Sequence, residues 1–258
     1  MRLHTYRSLG QAFVYSYAPI VYKCIVIDNC YYQLLTVCVR EGSGIMIKTI
    51  SDYCKEKFGT KVYRLALTTG ATCPNRDGKV GVGGCSFCSE KGSGEFAVSA
   101  DDIKKQIEKA KTFISAKIPG SIKEKDRKYI AYFQSFSNTY GDTKRLIGLF
   151  EQAIQKDEIV ALSIATRPDC FSEDMLNSLE KLNKIKPVWI ELGLQTINEN
   201  TARAFNRGYT LDVFEKTYDE LKKRNFEVIV HMILGLPGES KEDMYNTAKY
   251  LSEKKIDG

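Results

Sequence analysis

The sequence predicts an α/β protein built from repeated strand–loop–helix units, either a parallel barrel or a doubly wound sheet. Three observations predict it. From Val62 onward, short apolar runs alternate with amphipathic stretches at helical spacing. The runs are mostly continuous in apolar character, as parallel strands covered on both faces should be. Their C-terminal ends carry polar clusters, Thr69-Gly70, Gln134-Ser135, Thr166-Arg167-Pro168-Asp169, Gln195-Thr196 and Gly235-Leu236-Pro237-Gly238-Glu239. In a βα barrel those ends build the active site.

Taken in order, Val62 to Thr68 reads as a first strand feeding a functional loop. Ile103, Ile107, Ala110 and Ile114 then recur at helical spacing, with Asp101 and Asp102 where a helix N-terminus favours negative charge. Tyr129 to Phe133 is a compact second strand, followed by a helix marked by Leu146, Leu149, Phe150 and Ala153. Ile159 to Ile164 is the third. The next helix starts near Ser172 and puts Met175, Leu176, Leu179 and Leu182 on one face. Pro187 to Leu194 is the fourth strand, and Thr210 is placed to cap a helix bearing Phe214, Thr217, Tyr218 and Leu221. Phe226 to Leu234 is the fifth. Ser240 with Asp243 resembles a capping box opening the last helix. Residues 256–258 fall where a sixth strand would begin, so the expectation is a barrel cut short before that strand.

The first 45 residues differ. They hold Cys24, Cys30, Cys38 and many tyrosines, and neither helical nor strand periodicity persists across them. The expectation is an atypical extension ahead of a native start at Met46, because Arg40-Glu41-Gly42 can be encoded by a purine-rich, ribosome-binding-like stretch. The alternative is a genuine hairpin-like extension. Residues 46–258 then form the core domain.

Of 258 residues, 43% are hydrophobic, enough for one sizeable core. No window reaches the roughly 18 uninterrupted apolar residues of a membrane span. The net charge of +6 permits a nucleic-acid partner without requiring one. Eight cysteines in a Lys/Glu-rich chain lacking a convincing signal sequence indicate a reducing compartment, where clustered cysteines bind metal more often than they pair. The expected location is the cytoplasm.

Cys73, Cys85 and Cys88 lie on one glycine-rich loop after the first strand, with Phe87 between the last two. A structural zinc site wants four closed ligands, and the fourth would have to be Cys54, Cys170 or His231. A [4Fe–4S] cluster held by three cysteines instead leaves one iron open to a small molecule. Spacing favours the cluster and leaves zinc as the alternative. Phe87 would then shield the cluster from water, and the glycines would let backbone N–H groups approach its sulfides.

The Cys-x11-Cys-x2-Cys loop resembles that of the radical S-adenosylmethionine (SAM) superfamily. Further segments narrow the resemblance to the YhcC/YtqA-like proteins and the catalytic subunit of elongator: Tyr132 to Tyr140, Thr166 to Cys170, Trp189 to Thr196, Asn206-Arg207-Gly208 and His231 to Glu239. The resemblance covers residues 46–258, each segment lying at a strand end or just beyond it. It implies a partial (β/α)6 barrel of the TIM-like, radical SAM type, a [4Fe–4S] cluster on Cys73, Cys85 and Cys88, and SAM chelated at the free iron. One-electron reduction would cleave SAM to methionine and a 5′-deoxyadenosyl radical.

By the same resemblance Ser135 and Asn138 lie in the segment contacting the SAM amino group. Gln195 and Arg207 match polar residues that reach SAM, Arg207 being suited to its carboxylate. Glu191, Thr166 and Arg167 line the same cavity, and Gly235 falls where backbone approaches the adenine. Bland alternatives stand beside these roles. Glu191 and Arg167 would form a structural buried ion pair, His231 would be a satisfied core histidine, and Gly-Leu-Pro-Gly would be a plain turn.

Family similarity implies tRNA as substrate, at the C5 substituent of a wobble uridine, with a reduced flavodoxin or ferredoxin as electron donor. The nine Lys or Arg between Lys104 and Lys128 form a stretch that could track phosphates. A small molecule or protein substrate, and a non-enzymatic zinc-binding module, are the competing functions. No acetyltransferase domain like elongator's is visible in the sequence.

Overall fold

A computed structural model describes residues 24–26, 35–39, 45–92, 94, 97 and 102–258; for 24–26, 35–39 and 45–47 it describes the backbone alone. Three strands, β1 (Cys24–Val26), β2 (Leu35–Val39) and β3 (Ile45–Thr49), pair antiparallel in that order. Met46 lies inside β3, opposite Cys38. The rest of the proposed extension is outside the described residues.

Helix α1 (Ile50–Phe58) follows directly. Thr49 and Asp52 make a reciprocal capping box at its start, and Gly59 closes it at φ 72°. Five strands then alternate with helices: β4 (Val62–Leu67), α2 (Ile103–Ile114), β5 (Lys128–Phe133), α3 (Thr143–Ile154), β6 (Ile159–Thr166), α4 (Glu173–Asn183), β7 (Val188–Gln195), α5 (Glu199–Ala204), α6 (Leu211–Lys223), β8 (Glu227–Met232) and α7 (Lys241–Glu253).

All five strands are parallel and ordered β4-β5-β6-β7-β8. That order settles the choice left open by the sequence. A doubly wound sheet reverses direction at a switch point, whereas a sequential order with right-handed crossovers curls into a barrel wall. Residues 256–258 run along the free edge of β8, where the Val230 N–H donates to the Gly258 carbonyl at 2.9 Å and the Val228 N–H to Asp257 at 2.8 Å.

Side chains alternate across each strand. The outward set, including Leu65, Leu67, Phe133, Leu162, Ile164, Ile190, Leu192, Val228 and Val230, packs against the helices in one core. The helices present the faces their spacing predicts: Ile103, Ile107 and Ala110 on α2, Met175, Leu179 and Leu182 on α4, and Phe214, Tyr218 and Leu221 on α6. Phe150 of α3 meets Phe133 edge-on, with ring centroids 4.9 Å apart. Asp102 caps α2 and Ser172 caps α4; Asp101 lies outside the described residues. Thr210 occupies the N-cap of α6, but its hydroxyl turns to the Asp212 carboxylate rather than to backbone.

The inward set is layered. Ile130, Ala161, Trp189 and Ile229 join Cys54 of α1 in a second cluster, with Ile50, Tyr53, Phe58 and Val62 packed around it. Helix α1 therefore plugs the N-terminal end of the barrel. Above that plug comes a charged layer, and above it the C-terminal strand ends.

Candidate active site

The charged layer centres on Glu191 of β7, whose side chain is fully buried. One carboxylate oxygen accepts from the Arg64 guanidinium at 2.6 Å and from the Ser163 hydroxyl; the other meets His231 Nε2 at 2.8 Å. Arg64 reaches across the barrel interior from β4 and lies over the Tyr132 ring at 4.4 Å. Burial alone would push the Glu191 carboxyl up. Arg64 foremost, then His231 and Ser163, outweigh it and hold the group at about 2. Glu191 is thus held as a carboxylate whose partner is Arg64, not the Arg167 of the structural ion-pair alternative. Arg167 instead forks onto Asp169, two residues on, at 2.8 and 2.7 Å.

The cysteine loop leaves β4 through Thr69, and Asn138 anchors it. The fully buried Asn138 accepts from the Thr69 hydroxyl at 2.8 Å and donates to the Phe133 and Ala165 carbonyls at 3.0 and 2.8 Å. One side chain thereby ties the ends of β4, β5 and β6 together. Within the loop, the Cys73 carbonyl accepts from the Arg76 and Asp77 N–H groups, and the Cys85 carbonyl from that of Cys88. Residues 77–82 form a short finger closed by an Asp77–Val82 bridge. Arg76 braces the far side of the loop, donating to the Cys88, Ser89 and Glu90 carbonyls.

Asn206-Arg207-Gly208 clamps the loop to the barrel. The Asn206 side chain donates to the Gly84 carbonyl at 3.0 Å, and Asn75 donates to the Asn206 carbonyl at 2.5 Å. Asn206 holds φ 59°, and Gly208 holds φ 79° where a Cβ would meet Val80 at 2.9 Å. Arg207, 1% exposed, uses its guanidinium on the Leu194, Thr196 and Tyr209 carbonyls and on Glu199. Its own carbonyl accepts from Arg167 at 2.8 Å. Tyr209 is stacked by both guanidinium groups, at 4.9 Å from Arg167 and 4.6 Å from Arg207.

The remaining sequence-derived positions fall around this assembly. Thr166 shares a 2.6 Å hydroxyl contact with Thr139. Ser135 is buried with its hydroxyl against Gly94, where a Cβ would clash. Gln195 ends β7 at a register shift with φ 65°, its amide pressed on Gly193 and its carbonyl accepting from the Ile233 N–H at 3.0 Å. Phe87 is 41% exposed and meets the Phe205 ring edge-on at 5.3 Å. Ile233 and Leu236 join Phe205, Ala202 and Cys85 in a small apolar cluster, which brings the Gly235 turn (φ 78°) beside the cysteines. The Gly235 N–H points to the Met244 sulfur.

Cys73, Cys85 and Cys88, all free thiols on one loop, are the residues that would hold a cluster. Among the described residues no three His, Cys, Asp or Glu side chains converge on a single ion. Tetrahedral zinc, with Zn–S of about 2.3 Å, draws its sulfurs within about 4 Å of one another; a cubane, whose irons occupy separate corners, asks for wider spacing. Of the candidate fourth ligands, Cys54 sits in the opposite end of the barrel, His231 is engaged by Glu191, and Cys170 is buried just beyond β6 with its thiol 3.7 Å from the Asp169 carboxylate. Burial pushes the Cys85 thiol up, opposed by Arg167 and by the Asn75 amide, while the other two loop cysteines add to the rise. Cys85 therefore lies within electrostatic reach of both other loop sulfurs.

The basic stretch lies elsewhere. Lys123, Lys125, Arg127 and Lys128 precede or open β5, whereas the cysteine loop stands at the strands' C-terminal ends. At about 3.3 Å per residue, the six-residue β5 separates the two by some 20 Å. Arg64, Ser163, Asn75 and Tyr209 were not singled out by the sequence, whereas Asp169 stood in the polar cluster after the third strand. Of those four, Asn75, next to Cys73-Pro74, carried a positional signal.

Comparison with known proteins agrees with this architecture. The chain is 41% identical over 211 residues to the uncharacterized protein YtqA of Bacillus subtilis, covering 81% of this chain and 64% of YtqA. It is 33% identical over 203 residues to YhcC of Escherichia coli K12, covering 78% and 63%. The chain thus spans just under two thirds of these relatives. A shorter match, 36% over 87 residues, joins 34% of this chain to 16% of a tRNA uridine(34) acetyltransferase of Methanocaldococcus infernus. Among solved structures, methylornithine synthase (PylB) superposes with a TM-score of 0.50 at 16% identity, covering 80% of this chain and 55% of that one, a likeness of fold. Residues 67–251, from the end of the first barrel strand into the last helix, match the Radical SAM superfamily, and the chain belongs to that family.

Proposed function

We propose that this chain binds a [4Fe–4S] cluster through Cys73, Cys85 and Cys88 and positions SAM beside it for reductive cleavage. The observation that carries the reading is the cysteine loop itself, clamped over the C-terminal strand ends by Asn138 and Asn206. When bound, the cluster and SAM would together supply a 5′-deoxyadenosyl radical able to abstract hydrogen from a substrate. The protein's part is to orient and to exclude water. Thr166, Gln195, Ser135 and the Gly235 turn are the groups at the strand ends with which it would do so. Asn138 and Arg207 would act one step back, since their donors are engaged by the backbone they fix.

The substrate reading is tRNA, at the C5 substituent of a wobble uridine, with reduced flavodoxin or ferredoxin as donor. Its support is the partial similarity to a tRNA uridine(34) acetyltransferase. A small molecule or protein substrate is the second reading, favoured by the placement of the basic stretch at the far end of the barrel from the cysteines. Anaerobically reconstituted protein should form 5′-deoxyadenosine only with reductant, and faster when total tRNA is added. No cleavage under strong reduction, or tightly held zinc in place of iron, would refute the first claim. Cleavage indifferent to tRNA would favour the second substrate class.

A further inference from the structure

Asn75 is fully buried, yet its Oδ1 has no hydrogen-bond partner. A buried amide oxygen left unpaired is unfavourable and calls for an explanation. Its Nδ2 supplies one. That nitrogen donates to the Asn206 carbonyl at 2.5 Å and stands 3.5 Å from Cys85 Sγ. Both neighbours are acceptors, so the amide can face them only with its NH2 group. Turning it over would satisfy Oδ1 no better and would set oxygen against a carbonyl and a thiolate.

The surroundings hold this orientation. Gly81 and Gly208 flank Oδ1: a Cβ on Gly81 would overlap it, and one on Gly208 would approach to 3.0 Å. The Asn75 carbonyl is also tied down, accepting from the Gly84 N–H at 2.8 Å. One glycine of the loop, one of the clamp and an orphaned oxygen thus accompany an amide N–H pointed at one sulfur.

Resting on the cluster reading above and deepening it, we propose that Asn75 is a positioning residue that tunes the cluster's reduction potential through an N–H···S hydrogen bond to the Cys85 thiolate. Hydrogen bonds to ligating sulfur stabilise the more negatively charged, reduced state and raise the potential. Cys85 receives this bond from Asn75 at 3.5 Å.

The test is a potentiometric titration of reconstituted protein without SAM, followed by electron paramagnetic resonance. Asn75→Leu keeps the shape and removes the donor. At a fixed ambient potential its reduced-to-oxidised ratio should fall about tenfold, which for a one-electron couple is about 59 mV. Gly81→Ala retains the amide but crowds Oδ1, at a backbone angle alanine tolerates, and should shift the potential the same way with native iron content. Unchanged potentials in both variants overturn the proposal. So does a folded variant that fails to hold iron, because Asn75 would then be a prop for the loop rather than a tuner of its cluster. Failure of the parent protein to assemble any cluster would instead sink the reading on which this rests.

Discussion

Replacing Glu191 by leucine should remove a large part of the domain's stability, and the reason is the charge left behind. Arg64 would keep its guanidinium inside the barrel with a side chain 11% exposed, its Nε already without an acceptor. Ser163 and His231 would each lose the carboxylate oxygen they bond. Removing one partner of a buried pair costs about 3–5 kcal/mol, because the survivor is neither paired nor solvated. A domain with roughly 5–15 kcal/mol in total can lose half of that or more. With a urea m-value of about 3 kcal/mol/M, the midpoint should fall by about 1 to 1.7 M.

The double variant Arg64→Met/Glu191→Leu removes both charges and should recover to within about 1 kcal/mol of the parent, since apolar replacement of a whole buried pair is often neutral. Equilibrium urea unfolding of the three proteins makes the comparison. The reasoning is refuted if Glu191→Leu unfolds within about 1 kcal/mol of the parent, or if the double variant is no more stable than the single. Acid adds an independent check. Glu191 is held at about 2 against an ordinary 4.5, so its folded-state value is depressed. The stability it contributes is present above the ordinary value and lost as pH falls from about 4.5 toward 2. The double variant should lack that part of the acid dependence.

Arg207→Lys should lower stability by about 2 kcal/mol, because an ammonium cannot serve the Leu194, Thr196 and Tyr209 carbonyls together with Glu199; thermal unfolding monitored by circular dichroism measures it. Cys170→Ala should keep the parent iron content, whereas Cys73→Ala, Cys85→Ala and Cys88→Ala should each lose the visible iron–sulfur absorption; iron and sulfide analysis after anaerobic reconstitution separates the two groups, and iron loss in Cys170→Ala would move ligation out of the loop. Ser240→Ala should cost about 1 kcal/mol by removing the reciprocal cap with Asp243 at the start of α7, read as a lowered urea midpoint.

The five barrel strands were legible because each is a run of six to eight residues, mostly buried except in β4, whose character is set locally. Their order was not, since pairing joins residues far apart in the chain. Helix α1 left a readable signal, Thr49-x-x-Asp52 followed by Gly59, at the margin of a segment without periodicity. Helix α5, six residues long, is too short for a helical period to show. Arg64 stands in an alternating strand where a charge looks solvent-facing; its partner is 127 residues away, and only closure of the wall turns that face inward. The reverse happened at Arg207. Its motif stood out, but a ligand-binding arginine and a backbone-clamping one look alike until the surrounding carbonyls are known.

The layering inside the barrel gives those two arginines a common logic. Contacts across the interior help to define the curvature of this five-stranded wall. Arg64 spans that interior from β4 to β7, above the apolar plug of α1. Arg207 binds the carbonyls at the end of β7, while its own carbonyl takes a bond from Arg167 at the end of β6. One charged strut thus fixes the span of the wall and the other fixes its rim, and Asn206, adjacent to the second, carries that position on to the cysteine loop through Gly84 and Asn75. The sulfur positions are therefore coupled to the strand ends by a continuous chain of bonded groups, so that loosening Arg207 should disturb the loop even though no guanidinium contact to a cysteine is needed.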